Sequence, residues 1–458
     1  MSAEKQYIEL YEAQKELINA NSAAGLNACR EAACETLKQV GLKKPKDFSA
    51  TDPEELLALD FSLNLSRFNV PTDKSDLFTC GVPDLSTYVH YMVNEQYIGE
   101  TKRIAEDEGV FAGSLKVFAE KYPQVFQKYY NSLAGVEPIT PDSKSNAKLG
   151  MLGESALNTL FAQDGFVLYV PENVSIEKPL QLISLLRSVD EFMACQRLLI
   201  IIGEGAKASL LVCEHNSDLA EVNLLSLQVT EIFVGKNATF DFYGLEEHKE
   251  NVIRLSNVFV HQEEGSNAAI GQFTLTAGKT RNRVYVNLDG EKIDTNLFGM
   301  VIADDKQQVD NITFIDHKKS YCNSNELFKY VLDGEAKGSF IGRILVRDGA
   351  VKTDAHQTNR NLCLTEKARM IARPELEIFA DDVKCSHGAT VGQLDQNALF
   401  YMRTRGIPEE EAQMLLMFAF MGDVIDNIRI EPLKDRLKHL IEKRFRGELT
   451  HCKNCKIK

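Results

Sequence analysis

No run of apolar residues in this chain is long enough to span a bilayer. The longest, MLLMFAFM at Met414–Met421, is far short of the roughly 18 residues that a membrane helix needs. The opening stretch, MSAEKQYIELYEAQKEL, places charges where a secretory signal needs an apolar core. The chain is therefore expected to be cytoplasmic, with no membrane partner. Positive charge is also scarce: 52 Lys+Arg stand against 66 Asp+Glu, a net charge of −14, which argues against nucleic acid as the main partner. The exception is the basic stretch from Lys434 to Lys458, which reads as a solvated helix and tail. The 10 cysteines are scattered without the spacing of a disulfide framework, and a reducing compartment would keep them as thiols. A Walker-type phosphate loop, a G-x-S-x-G elbow and a His-Glu-x-x-His pair are all missing. The chain thus has no ATP site and no self-contained machinery for common hydrolytic chemistry.

What is present divides into three textures. With 458 residues, 44% hydrophobic and 26% charged, the chain is an ordinary globular protein of two or three domains, or one elongated core with appendages. Residues from about Ala3 to Tyr129 show three- and four-residue apolar spacing, as in EKQYIELYEAQKELI, and predict a mainly helical domain over 1–164. From about Gly165 the pattern changes to short Val/Ile/Leu/Phe runs split by small polar turns, which predicts strands with tight corners over 165–390. An Ala recurs at corners, at positions 206, 238, 268, 336, 350 and 368, with intervals near 32, twice 32 and half of it. Such a unit without intervening helices suggests a solenoid, although a β-sandwich fits the strand density as well. Over 391–458 helices return, with Pro408 and three glutamates forming a helix start. The following QMLLMFAFMGDVIDNI is apolar nearly all round, so it must be buried in its own domain or against another chain.

The densest cluster of reactive side chains is ADDVKCSHGAT at 380–390. In an extended strand, Cys385 and His387 point to one face and Ser386 to the other. The pair can ligate a soft metal or form a thiolate–imidazole couple, but a tetrahedral site needs four ligands and a nucleophile needs an orienting third group. A strand end carrying a polar histidine is the plainer reading. Cys452 and Cys455 form half of a zinc knuckle with no second pair to match, so an exposed dithiol is the plainer state there. His317 with Cys322, and His356 with Cys363, are further thiol and imidazole groupings. Each residue taken singly is more often a partly buried polar group than a ligand.

The segments VDNITFIDHKKSYCNSNELFKYVLDGEAKGSFIGRILV, DAHQTNRNL, PELEIFADDVKCSHGATVGQLD and ALFYMRTRGIPEEEA resemble the SufB/SufD family of iron–sulfur cluster assembly scaffolds. The resemblance runs from about Glu106 to near the C-terminus. The first hundred residues are less typical, and the chain has no Trp where family members often carry one near the N-terminal domain. The wording KCSHGATVGQLD resembles the SufD branch, and the position that carries the sulfur-accepting cysteine of the SufB branch falls at Ala368. The resemblance implies a right-handed parallel β-helix flanked by N-terminal and C-terminal helical domains. It implies a SufB-like scaffold as partner at the β-helix ends, with a homodimer in its absence, and a SufC-like ATPase that hydrolyses ATP in trans. The ATPase would meet the C-terminal helical region around Pro408, Leu415, Leu416, Phe418 and Phe420. His387 matches a histidine of the SufB–SufD interface, where a transient iron–sulfur cluster is shared, and Cys385 is its weaker companion. The expected protein is thus a non-enzymatic subunit. The rivals are a SufB-like scaffold that holds a cluster itself and a β-helix carbohydrate-active enzyme.

Overall fold

The computed structural model describes residues 2–42, 51–68, 86–100, 109–135, 152–217, 220 and 222–447. Cys452 and Cys455 lie outside the described residues. Helices α1 (Ala3–Ala20), α2 (Ala24–Asn27), α3 (Arg30–Val40) and α4 (Pro53–Leu57) come first. They are followed by β1 (Tyr88–Val93), β2 (Gln96–Glu100), β3 (Phe111–Ser114), α5 (Leu115–Lys121), α6 (Pro123–Tyr129) and α7 (Gly153–Phe161). The strands β4 (Phe166–Val170), β5 (Leu180–Leu186), β6 (Phe192–Ile202), β7 (Lys207–Asn216), β8 (Leu224–Val234), β9 (Thr239–Glu247), β10 (Val252–Gln262) and β11 (Asn267–Thr276) come next. Then follow β12 (Lys279–Leu288), β13 (Asp294–Ala303), β14 (Gln308–His317), β15 (Asn323–Leu332), β16 (Lys337–Val346), β17 (Asp354–Cys363), β18 (Arg369–Ile378) and β19 (Lys384–Gly392). Helices α8 (Gln396–Thr404), α9 (Glu409–Asp426) and α10 (Glu431–Phe445) complete the fold.

From β4 onward the chain alternates between two sheets, even-numbered strands in one and odd-numbered strands in the other, and each strand pairs parallel with the strand two further on. Parallel ladders throughout this region exclude a sandwich of antiparallel hairpins, so the core is a β-solenoid. Its interior is one continuous cluster of Leu, Ile, Val, Phe and Ala contributed by both sheets.

The alanine positions mark the two edges of this solenoid. Ala206, Ala238, Ala268 and Ala350 lie where the chain passes from the even to the odd sheet, and Ala336 and Ala368 where it returns. All six are buried in the interior cluster. The interval of 68 between Ala268 and Ala336 is therefore two and a half coils rather than two, because it changes edge. At the even-to-odd edge every coil has a residue in a left-handed conformation: Asn173, Gly205, Asn237, Gly265, Lys292, Tyr321, Lys352 and Asp382, with Gly349 a second one at the corner of Lys352. The N–H of Gly205 donates to Lys236 O, that of Asn237 to Glu264 O and that of Gly265 to Glu291 O, so these corners form a ladder of their own. At Gly265 the left-handed φ and a close approach coincide, because an added Cβ would come within 2.3 Å of Asn237 Oδ1 and push that side chain aside.

Helices cover the outer faces of the two sheets. Residues of α1, α3 and α7 pack with Cys195, Leu225, Leu227, Ile253 and Leu255 of the even sheet. Met414, Met417, Met421, Val424 and Ile425 of α9, with Leu433, Leu437, Leu440 and Ile441 of α10, pack with Tyr243, Phe273, Phe298 and Met300 of the odd sheet. This second contact accounts for most of the apolar surface of α9 within its own chain. Polar pins hold the same helices: Arg444 to both Asp304 oxygens at 2.8 and 2.7 Å, Arg429 to Asp241 at 3.0 Å, and Lys329 to Phe420 O at 2.6 Å and Asp423 at 2.7 Å.

Two stretches depart from the helical reading of Ala3–Tyr129: β1 with β2, and β3, which pairs antiparallel with β4. Tyr88–Val93 is a strand paired parallel with β5, and β2 folds back antiparallel on it through Asn94, whose φ is 55°. YVHYMV is aromatic and β-branched, which suits a pleated edge better than a helix. Among the described residues no helix is long and apolar enough to cross a membrane.

Candidate functional site

The two ends of the solenoid differ. At the first end β1, β2 and β3 continue the sheets, and the antiparallel pairings of β2 and β3 break the parallel stacking. At the other end β18 and β19 are the outermost rungs, each with a sheet neighbour on one side only. Nearly all of β19 is exposed, and Ile371, Ile378, Phe379 and Val391 present large apolar side chains to solvent around this end. Edge strands of this kind offer unpaired N–H and C=O groups to another chain.

β19 carries the reactive cluster. Its register sets Cys385 on Ala355, Ser386 on His356 and His387 on Gln357. Ala355 and Gln357 are buried inside the solenoid, so Cys385 and His387 stand over the interior and Ser386 over the outer face. Cys385 packs half-buried against the core, and burial holds its thiol above the ordinary range. It is therefore a thiol rather than a thiolate at neutral pH. His387 is exposed at the bare end. On the outer face the Ser386 hydroxyl lies 2.6 Å from His356 Nδ1, and His356 Nε2 lies 2.7 Å from Asp354 Oδ1, so His356 has polar partners of its own.

The remaining groupings come apart. His317 faces the interior, fully buried, with Nε2 2.9 Å from Ser324 Oγ, and burial lowers its pKa to about 4. Cys322 sits in a corner with Sγ 3.1 Å from Gly290 O, its thiol raised by burial. Cys363 packs against the core and is likewise raised, with Arg369 acting in the opposite direction. Ala368 is a core corner. Among the described residues no three His, Cys, Asp or Glu side chains gather as a metal site.

Of the residues expected to meet an ATPase, Pro408 caps α9 and is exposed, as is Leu415; Leu416 is half-buried, and Phe418 and Phe420 pack partly against the odd sheet. Lys329 lies 4.7 Å from the Phe420 ring centroid. The sequence reading passed over Phe400 and Tyr401 of α8, exposed by 68% and 57%. Their adjacency in ALFYMRT was the available signal, because on a single helix two neighbouring aromatics cannot both face one core. It also passed over the buried polar residues Glu326 and Gln357 beneath His387, which no local pattern marks.

The stacked parallel strands, with one bare end that carries Cys385 and His387 over the interior, define a parallel β-solenoid protein. Residues 185–420 match the family model described as SUF system FeS cluster assembly, SufBD core domain, and residues 1–182 match the SufBD protein N-terminal region. The chain belongs to the SufBD family of the SUF iron–sulfur cluster assembly system. It is 33% identical over 250 residues to the iron–sulfur cluster assembly protein SufD of Escherichia coli, covering 54% of this chain and 58% of that protein. An iron–sulfur cluster assembly SufBD family protein of Synechocystis is 30% identical over 295 residues, covering 63% of this chain and 65% of the relative. The SufD of Bacillus subtilis is 27% identical over 344 residues, covering 74% and 75%. The first two matches span less than two thirds of the relatives' length.

Proposed function

We propose that this chain is a SufD-type subunit of the SUF machinery, a non-catalytic scaffold that completes its site only with a partner. The bare end docks a SufB-like scaffold edge to edge, and His387 supplies one ligand to iron or to the nascent cluster while the partner supplies the rest. Iron and sulfide are cargo here, held transiently between two chains. The observation that carries this reading is His387 standing over the solenoid interior on the last, singly paired strand. A neutral imidazole is a suitable ligand for iron, and a half-site is what a shared cluster requires. The half-buried Cys385, held as a thiol, serves packing first. A SufC-like ATPase docks on the C-terminal helices, with the exposed Pro408, Leu415, Phe400 and Tyr401 as its surface, and drives conformational change that this chain, without a phosphate loop, cannot drive itself.

Co-expression with the cognate SufB-like and SufC-like chains tests the reading, comparing complex recovery and cluster content for the parent and His387→Ala. Loss of most of the cluster from an intact complex is expected. Unchanged cluster content would remove His387 from the chemistry.

A further inference from the structure

The interior column that ends at His387 changes character over its last three coils. Leu180, Leu210, Phe242, Ile270 and Leu297 follow one another in register, and then come Glu326, Gln357 and His387. Glu326 is fully buried and Gln357 is 1% exposed. Among the described residues no basic side chain pairs with Glu326. Gln357 Nε2 donates to Glu326 Oε2 at 2.6 Å, while Gln357 Oε1 has no hydrogen-bond partner among the described residues. A buried carbonyl left without a donor costs about 1–3 kcal/mol, so hydrophobic burial alone does not explain an amide here. The opposite sheet makes room for it: an added Cβ at Gly342 would come within 2.3 Å of Gln357 Nε2. The next side chain along the column is that of His387, one sheet spacing of ~4.8 Å away.

We propose that Gln357, held by Glu326, is the positioning residue for His387. Its unpartnered side-chain carbonyl is the acceptor for the N–H of one imidazole nitrogen once the exposed ring turns inward onto it, which leaves the lone pair of the other nitrogen directed at the bare end for iron. The inference rests on the reading of His387 as a ligand. A neutral imidazole carries one donor and one acceptor nitrogen, and the hydrogen bond made by the first fixes the second as the ligating atom. An exposed histidine on a terminal strand has no such fixing unless the coil beneath supplies it. Glu326 sets the sense of the amide: by accepting from Nε2 it prevents the flip that would present an NH2 group, a second donor, to the ring. Burial raises the Glu326 pKa to about 7, against the hydrogen bonds from Thr313 and Gln357. The carboxylate, which can only accept, is the state that holds the amide in this sense.

The test is imidazole 15N NMR of the full-length chain labelled at histidine, with His387→Ala identifying the resonances. A single neutral tautomer of His387 is expected in the parent. Gln357→Leu removes the acceptor and should give a mixture of tautomers, whereas Gln357→Glu keeps an acceptor of the same size and should restore one form. Gly342→Ala, which displaces the amide without deleting it, should behave like Gln357→Leu. In the complex with the SufB-like partner, ferrous iron binding should weaken about 10- to 100-fold in Gln357→Leu. An unchanged His387 tautomer in folded Gln357→Leu would overturn the positioning role whatever the cluster yield. A tautomer shift alongside full cluster content in His387→Ala would leave the positioning intact and sink the ligand reading on which its purpose depends.

Discussion

His317 and His387 both stand over the solenoid interior, yet one is sealed by further coils and the other lies at the bare end. Sealing costs His317 its charge: burial lowers its pKa to about 4 from 6.5, and His90 on β1, packed against Tyr97 and Phe166, is lowered to about 4 in the same way. Because the folded state disfavours the protonated ring, the stability from each residue is fully present above pH 6.5. It is lost as pH falls toward 4. Urea unfolding at a series of pH values should show this fall, and His317→Gln, which cannot titrate, should reduce it by about 3 kcal/mol between pH 6.5 and 4. An equally steep fall in that variant would mean that the ring is protonated inside the fold. At this scale the sequence was partly legible. Alternation along one strand put Cys385 and His387 on a common face, because a period of two is a local property. Glu326 and Gln357 were illegible, since they reach His387 through the coil repeat, whose length varies from turn to turn.

Helix α9 shows how an element can be legible in kind and illegible in purpose. Its composition announced burial, and the odd sheet supplies it, leaving Lys329 as the point where helix and solenoid are tied by polar atoms. The ammonium is buried, takes the Phe420 carbonyl and holds the Asp423 carboxyl below its usual range. Lys329→Met should cost about 1–3 kcal/mol through the stranded carbonyl. Combined with Arg444→Ala, it should raise amide hydrogen exchange over 409–445 while leaving the strands β6–β12 protected. Equal loss of protection in the strands would show that the helices and the solenoid open as one unit. The corners tell a related story. The alanines lie at corners on two edges, which explains why their intervals come in whole and half coils. The strands β1–β3 escaped notice because β1 joins the solenoid through β5 and β3 through β4, both far along the chain, and because helical spacing on either side masked them.

For the molecule as a whole, the asymmetry between the ends is the dominant fact. A parallel stack has no internal reason to stop, and here it stops on β18 and β19 with Ile378, Phe379 and Val391 uncovered. Purified without a partner, the chain should associate through this end into a homodimer, and the double variant Ile378→Glu, Val391→Glu should be monomeric by sedimentation velocity with an unchanged circular dichroism spectrum. The same variant should fail to recover a SufB-like partner. Association that persists in the double variant would move the contact elsewhere. The strand rhythm allowed a solenoid or a β-sandwich, and the resemblance to the SufB/SufD family pointed to the solenoid, but which end is bare depends on pairings across the whole chain.

The ladder of left-handed corners has a consequence for the order of events. Each corner N–H is satisfied by a carbonyl of the following coil, so every coil is finished by its successor. For Lys352 that carbonyl belongs to Asp382, and for Asp382, the last corner, there is no coil beyond. In a one-dimensional stack whose units are stabilised mainly by their neighbours, the final unit melts first. The rung bearing His387 is therefore expected to open first, and whatever chain covers this end would complete its folding as it docks.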